Sequence, residues 1–391
     1  MRLLFVAVIP PHPGGGSLSL EQLLTGFDEA GCDVTVVAPI TETALRSGDD
    51  YADQHPSIRV LRYSTPSWQY AGRQDPSADA LRAERDQVEA LVSQQVELAR
   101  PDIIVAGRES FAPHVAELAE RHGIKSIQLV RGLPTAVILA GEYPEEQGER
   151  LLQQFRRFDR VPCVADFLTQ GLRGCGISQV RTMPNSIRVD LFSNPAPDIA
   201  LREDLGLADD DIVVLTPANF HWRKRPRDVI DSAAIALRDE PRLRYVMVGV
   251  GSLAHETEDY CRSLGLEDCF RFPGWLTYDR MPGCYGLADI VVMASEYEGM
   301  SRAYIEAMAA GRPLIAADSL AAKELIADET NGVLYPVGDV DALAERTVRL
   351  AQDPTLRTRL AAAAEETARA RSISDSVPVY ISEFECLLRP S

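Results

Sequence analysis

Three observations predict an α/β protein built from two doubly wound parallel sheets: its length, its ordinary globular composition, and an alternation of β-branched runs with helical stretches that starts twice. At 391 residues the chain is too long for one ordinary core and fits two domains of about 150–200 residues each. Apolar residues make up 46% and charged residues 25%, so a core can be buried without metals or disulfide staples. Two such domains imply a central cleft that both would face.

In the first half, the runs Leu3 to Ile9, Val34 to Val37, Ile103 to Ala106 and Ser126 to Val130 are short, β-branched and continuously apolar. That is the texture of strands buried on both faces. The segment Tyr63 to Asp79 is rich in Ser, Pro, Gly and aromatics without a period, and reads as a long loop of the kind that borders sites. After Val189 the texture loosens through Asp190, Pro195, Pro197 and Asp198, which places a boundary there. The alternation then restarts with Ile212 to Leu215, Tyr245 to Val248, Ile290 to Ala294, Leu314 to Ala317 and Gly332 to Tyr335. Right-handed crossovers give a second doubly wound sheet. Val340 to Ala370 reads as helix. Val377 to Leu388, after a serine-rich break at Ser372 to Ser376, reads as a short apolar segment that packs back on the first domain. The expected division is thus 1–190 with 373–391, and 191–372.

Forty basic against fifty-eight acidic residues give a formal charge of −18, which repels nucleic acid and anionic lipid unless cations are concentrated locally. One concentration exists, Arg223, Lys224, Arg225 and Arg227. Such a cluster suits a small phosphorylated ligand, and equally reads as a solvated loop. The first apolar run has no basic leader and is too short to span a bilayer. Seven cysteines show neither paired spacing nor C-x-x-C, as in reduced cytoplasmic proteins.

In an open parallel sheet, ligands bind beyond the carboxyl ends of the strands, where glycine turns and helix N-termini present amides. Three loops meet that description. The first runs from Pro10 through His12 and the triple glycine Gly14, Gly15 and Gly16 to Ser17, ahead of a helix through Leu20, Leu23, Leu24 and Phe27. Alone it is also a permissive strand-to-helix turn, and His12 reads as an exposed loop residue. The second, Thr216 to Pro226, carries the cationic cluster into a helix through Val229, Ile230 and Ala233. An ammonium there can neutralise a departing diphosphate.

The third loop, Ser295 to Pro313, follows the strand Ile290 to Ala294. Ser301 is the expected N-cap, Ile305, Met308 and Ala309 the buried face, and Gly311 with Pro313 the stop. Glu298 precedes this helix and Glu306 lies two turns later, so one carboxylate can face sugar hydroxyls and the other a ribose. In isolation two such glutamates read as surface charges.

Taken together, these residues resemble the family 4 retaining glycosyltransferases of GT-B fold (glycosyl transferases group 1). Their signature, E-G-x-x-x-x-x-x-E-A-M-A-x-G-x-P, reads here E-G-M-S-R-A-Y-I-E-A-M-A-A-G-R-P from Glu298 to Pro313. Val248-Gly249-Val250-Gly251-Ser252 is similar to the family's V-G-x-G turn, and Phe272-Pro273-Gly274-Trp275-Leu276 to its segment beside the nucleobase. Tyr285, Ala288 and Asp289 match Y-x-x-A-D, Pro184-Asn185 the P-N pair before the interdomain linker, and Gly14-Gly15 the double glycine of the first loop. The likeness covers nearly the whole chain.

The resemblance implies a nucleoside-diphosphate sugar held on the second domain, with UDP the commonest nucleotide. Lys224, chosen within the cluster through this likeness, would meet the phosphates with the amides near Ser301. Glu306 would bind ribose, and Glu298 donor-sugar hydroxyls. Gly299, Met300 and Ser301 would offer amides, and Gly15 and Gly16 would close over the diphosphate. Gly249, Gly251, Trp275 and Leu276 complete the expected donor contacts. Two positions depart from the pattern: Asn219 stands where the family often has arginine, leaving Arg223 or Arg225 as its substitute, and Arg131 of Val130-Arg131-Gly132 replaces a histidine with a permanent cation. Arg131 would contact donor sugar, acceptor or phosphate.

The implied reaction retains the anomeric configuration and needs no protein nucleophile. Neither cofactor nor metal is expected, and Asp209-Asp210-Asp211 reads as a solvated helix-to-strand turn. The expected partners are the donor and a small-molecule acceptor, without nucleic acid or a strong membrane signal, and homo-oligomerisation is left open. The competing functions are a nucleotide-sugar epimerase or hydrolase on the same fold, and a non-catalytic donor-binding subunit.

Overall fold

The computed structural model describes residues 1–10, 15–40, 51–65, 78–217 and 219–389. His12, Gly14 and most of the loop expected from Tyr63 lie outside them. The chain divides into two compact units, Met1–Ser186 with Ile373–Ser391, and Ile187–Ser372. Its two crossings between units meet, since Ile187 bridges Ser372 and its N–H donates to the Arg371 carbonyl at 3.0 Å.

Among the described residues of the first unit, five strands form a parallel sheet: β1 (Arg2–Val6), β2 (Asp33–Ile40), β3 (Arg59–Ser64), β4 (Ile103–Ala106) and β5 (Lys125–Gln128), in the order β3-β2-β1-β4-β5. The strand series reverses direction between β1 and β4, which pair through Leu3↔Ile103 to Val6↔Ala106. A ribbon of β6 (Val161–Cys163) and β7 (Val180–Thr182) joins β5 through bridges at Ile127↔Arg160 and Val130↔Cys163.

The core of this unit collects Phe5, Leu23, Phe27, Val36 and Ile127 from the sheet and its first helix, Gly15–Glu29. It also collects Val377, Tyr380, Phe384 and Leu387. These four are spaced as one face of a helix, and they lie on Ile373–Leu388. The serine-rich break is therefore the first turn of that helix, and Pro378 sits inside it. Gly26 leaves room for it, because a Cβ there would come within 2.5 Å of Val377 Cγ2.

The second unit holds six described parallel strands: β8 (Ile212–Pro217), β9 (Leu243–Val248), β10 (Phe270–Gly274), β11 (Ile290–Met293), β12 (Leu314–Ala317) and β13 (Val333–Tyr335). Their order, β10-β9-β8-β11-β12-β13, is the doubly wound arrangement with its switch point between β8 and β11. The expected helix from Val340 is two, Val340–Gln352 and Pro354–Arg369. Asp353 ends the first and caps the second by accepting the Leu356 N–H at 2.8 Å, and Pro354 suits a first helical position.

Candidate active site

The switch point fixes which loops can hold a ligand. The loop after β8 carries the cationic cluster, and the loop after β11 carries Glu298, so adjacency of these two strands brings together residues far apart in sequence. Lys224 Nζ donates to Glu298 Oε1, and Arg223 lies 3.6 Å from the other carboxylate oxygen. The side chains of Lys224 and Glu298 are only 10% and 11% exposed, in contrast to the solvated charges that isolated surface glutamates would be.

Burial acts on both partners. It would raise the Glu298 carboxyl, but the charges of Lys224 and Arg223 outweigh it and hold the group below its ordinary range. Burial lowers the Lys224 ammonium, with Glu298 pulling the other way. His221 is also pushed down, by burial and then by Arg223 and Lys224. The loop is pinned by Arg225, whose backbone is left-handed at φ 48°. Its guanidinium donates to Asp228 at 2.6 Å and to Glu296 at 3.2 Å, and the Glu296 N–H returns a bond to the Arg223 carbonyl at 2.9 Å.

Met300 and Gly299 are buried beside Glu298, and the helix that follows is Arg302–Ala309. Ser301 occupies the N-cap position, but its side chain makes no capping bond. The helix is buried on nearly every side, Arg302 and Glu306 included. Glu306 accepts the Tyr285 hydroxyl on Oε2 at 3.1 Å and Arg302 Nε on Oε1 at 3.2 Å. This carboxylate belongs to a network separate from the Lys224–Glu298 pair. Its Arg302 member escaped the sequence reading, although arginine four residues before glutamate is a pairing signal on a helix.

Of the remaining expected donor contacts, Gly249 has φ 143° and donates to the Gly274 carbonyl at 2.8 Å. Gly251 packs on the backbone of Phe220, which any Cβ would overlap. The structure thus gives Gly251 a reason of its own, close approach of two backbones. Asn219 and Trp275 are exposed and Leu276 is buried. Asp211 accepts the Ala208 N–H at 2.7 Å and lies 3.3 Å from Arg244, as part of a turn. No group of His, Cys, Asp or Glu suited to hold a metal occurs among the described residues.

In the first unit, Gly15 and Gly16 open the helix after β1. Arg131 follows β5 and donates to Ser19 Oγ and, at 3.3 Å, to Asn185 Oδ1. Ser19 also donates to Asn185, at 2.8 Å, so the P-N pair anchors the arginine to the first helix. Glu109, buried after β4, accepts the Gly132 N–H at 2.8 Å, and burial raises its carboxyl. It stitches the Arg131–Gly132 turn to the neighbouring strand loop. The only sequence signal for it is a carboxylate placed three residues after a fully apolar strand. All seven cysteines are free thiols, and burial pushes Cys163 and Cys284 up to about 12.

Comparison with known proteins bears on the family and the fold. Residues 13–191 match the model of Glycosyltransferase Family 4, and residues 198–367 that of Glycosyl transferases group 1. EpsD of Bacillus subtilis, named as a glycosyltransferase, is 31% identical over 216 residues, 54% of each chain, so that match spans about half the relative's length. A D-inositol 3-phosphate glycosyltransferase of Xylanimonas cellulosilytica is 25% identical over 91% of this chain and 88% of its own. The Anabaena HepE protein, solved with UDP-glucose, superposes with a TM-score of 0.79 at 22% identity, covering 98% of this chain and all of that one; this likeness shows the GT-B fold. With two family models matched in succession over the two units, the chain belongs to the family 4, group 1 glycosyltransferases.

Proposed function

We propose that the second unit binds the diphosphate of a nucleotide sugar, UDP-linked, and that the chain transfers the sugar to a small-molecule acceptor with its anomeric configuration retained. The observation that carries this reading is the pairing of Lys224 with Glu298 at the β8–β11 switch point. A buried ammonium beside the start of a helix suits a diphosphate, whose charge grows as the sugar departs. Glu298, held ionised, suits sugar hydroxyls, and Glu306 suits the ribose diol. Gly299, Met300 and Ser301 offer amides to the sugar and phosphates, with Arg223 in place of the arginine that Asn219 lacks.

Retention here means that the diphosphate leaves on the face from which the acceptor attacks, and that its oxygen takes up the acceptor's proton. Positioning and charge stabilisation supply the rate, with no covalent intermediate on the protein. Gly15, Gly16 and Arg131 are proposed substrate contacts from the first unit. UDP is favoured because HepE has been solved with UDP and with UDP-glucose. A small-molecule acceptor accords with the relative that acts on D-inositol 3-phosphate and with the acidic balance of the chain. No helix among the described residues is long and apolar enough to cross a membrane.

The test is a calorimetric screen of UDP, GDP and ADP, followed by incubation of the matching sugar donors with and without an acceptor panel. Proton NMR of the product reads the anomeric configuration. Binding of UDP and an α-linked product from an α-linked donor are expected. An inverted product overturns retention, and sugar release or epimerisation at full rate without acceptor overturns transfer.

A further inference from the structure

We propose that Arg302 is a positioning residue that sets how strongly this chain recognises the ribose of its donor, acting through Glu306. The inference rests on the reading that Glu306 meets that ribose. Its basis is the way the carboxylate's two oxygens are divided. Both guanidinium bonds converge on one oxygen: Arg302 Nε lies 3.2 Å and NH2 3.1 Å from Oε1. Oε2 takes the Tyr285 hydroxyl at 3.1 Å. A fork laid across both oxygens would fill the carboxylate. Converging on Oε1, it leaves Oε2, with one bond from Tyr285, the capacity to accept a hydroxyl.

Arg302 is itself held from the other side. Its NH2 donates to the Tyr278 hydroxyl at 2.6 Å, and the guanidinium carbon stands 4.9 Å from the centre of the Tyr278 ring. Phe192 packs against both tyrosines, with ring centres 5.7 Å from Tyr278 and 5.6 Å from Tyr285. The side chains of Arg302 and Glu306 are 5% and 9% exposed. At that burial an arginine partner offsets the cost of taking a carboxylate out of water, and hydrogen bonds to a charged acceptor are stronger than those to a neutral one. Arg302 therefore holds Glu306 aimed, through the bonds on its Oε1.

The experiment compares UDP with 2′-deoxy-UDP by titration calorimetry in the full chain and in Arg302→Met, which keeps the bulk of the stem and removes the charge. Wild type is expected to prefer UDP by about tenfold, the worth of one charge-assisted hydrogen bond. Arg302→Met should shrink that preference to within about twofold, and Arg302→Lys should restore part of it. In the transfer assay KM for the ribonucleotide donor should rise while kcat stays within about twofold. Tyr278→Phe, which keeps the ring and removes the hydroxyl, should lower the preference without loss of fold, and serves if Arg302→Met is unstable.

Outcomes separate the two levels. If no nucleoside diphosphate binds the wild type, the donor reading falls and this inference with it. Should UDP bind no better than its deoxy form, Glu306 does not read the ribose. If wild type discriminates and Arg302→Met and Tyr278→Phe do so equally, the role of Arg302 is overturned while the donor reading stands.

Discussion

Lys224 and Glu298 illustrate how two charges become useful by being buried together. Separately each would be strongly disfavoured at about 10% exposure; paired, with Arg223 alongside, they form the buried charged cluster proposed to meet the donor. Lys224→Ala should reduce kcat by about 10²–10³, the range for removing one preorganised electrostatic contact, measured with saturating donor. A change under about threefold would remove the lysine from the reaction. The two shifts also set a pH profile. Glu298 is held below its ordinary value of 4.5, so its pairing contributes stability above that value and loses it as pH falls through the lower folded-state pKa. Lys224 is depressed from 10.5, so the cation is lost earlier than from a free lysine as pH rises. Titration with a UDP-sugar, whose esterified diphosphate does not titrate here, should therefore show affinity flat from about pH 7 to about pH 5. On the alkaline side it should decline before pH 10.5.

At the scale of elements, the site depends on loops that are tightened by backbone contacts. The loop that carries Lys224 is fastened to the one after β9: the Phe220 N–H donates to the Val250 carbonyl at 3.0 Å, and the Phe220 carbonyl accepts from Leu253 at 3.0 Å. Gly251 sits within that pair, and a methyl group there would overlap the Phe220 backbone. Gly251→Ala should cost about 1–3 kcal/mol as an overpacked position and weaken UDP binding by displacing the Lys224 loop. Calorimetry of unfolding and of binding would check both effects; unchanged affinity would show that the loop gives way without moving the lysine. The helix Arg302–Ala309 shows the same dependence on context. Its glutamate spacing is visible in the sequence, yet its burial on nearly all sides comes from the strands and helices packed around it.

Across the whole molecule, the last helix makes the first unit discontinuous in sequence. Phe384 is fully buried and its ring centre lies 5.6 Å from that of Phe27. Phe384→Ala should destabilise the first unit by about 3–5 kcal/mol. Scanning calorimetry with and without UDP should show a lowered transition for that unit, with UDP still bound by the second at lower temperature. Loss of UDP binding in the still-folded variant would contradict the assignment of the donor to the second unit.

Strands buried on both faces were legible because continuous β-branched runs have few alternatives: Ile103 to Ala106 and Leu314 to Ala317 are bounded as expected. β3 and β10 were not legible, since Arg59–Ser64 is half-exposed and charged at an edge, and Phe270–Gly274 contains proline and glycine. For the site, the glutamate spacing and the cationic loop were readable. The Arg302 network and Glu109 were not, because their meaning lies in partners supplied by other elements.

By itself the sequence determined the alternation that makes two parallel sheets, the family signature, and the charged residues available for a donor. Those are properties of local patterning and residue type, which survive without coordinates. Only the tertiary structure decided which charges meet. The adjacency of β8 and β11 joins Lys224 to Glu298, and packing around the helix Arg302–Ala309 brings Tyr285 and Tyr278 to the Glu306–Arg302 pair. Hydrogen bonding and desolvation act over a few ångströms in space, whatever the separation along the chain.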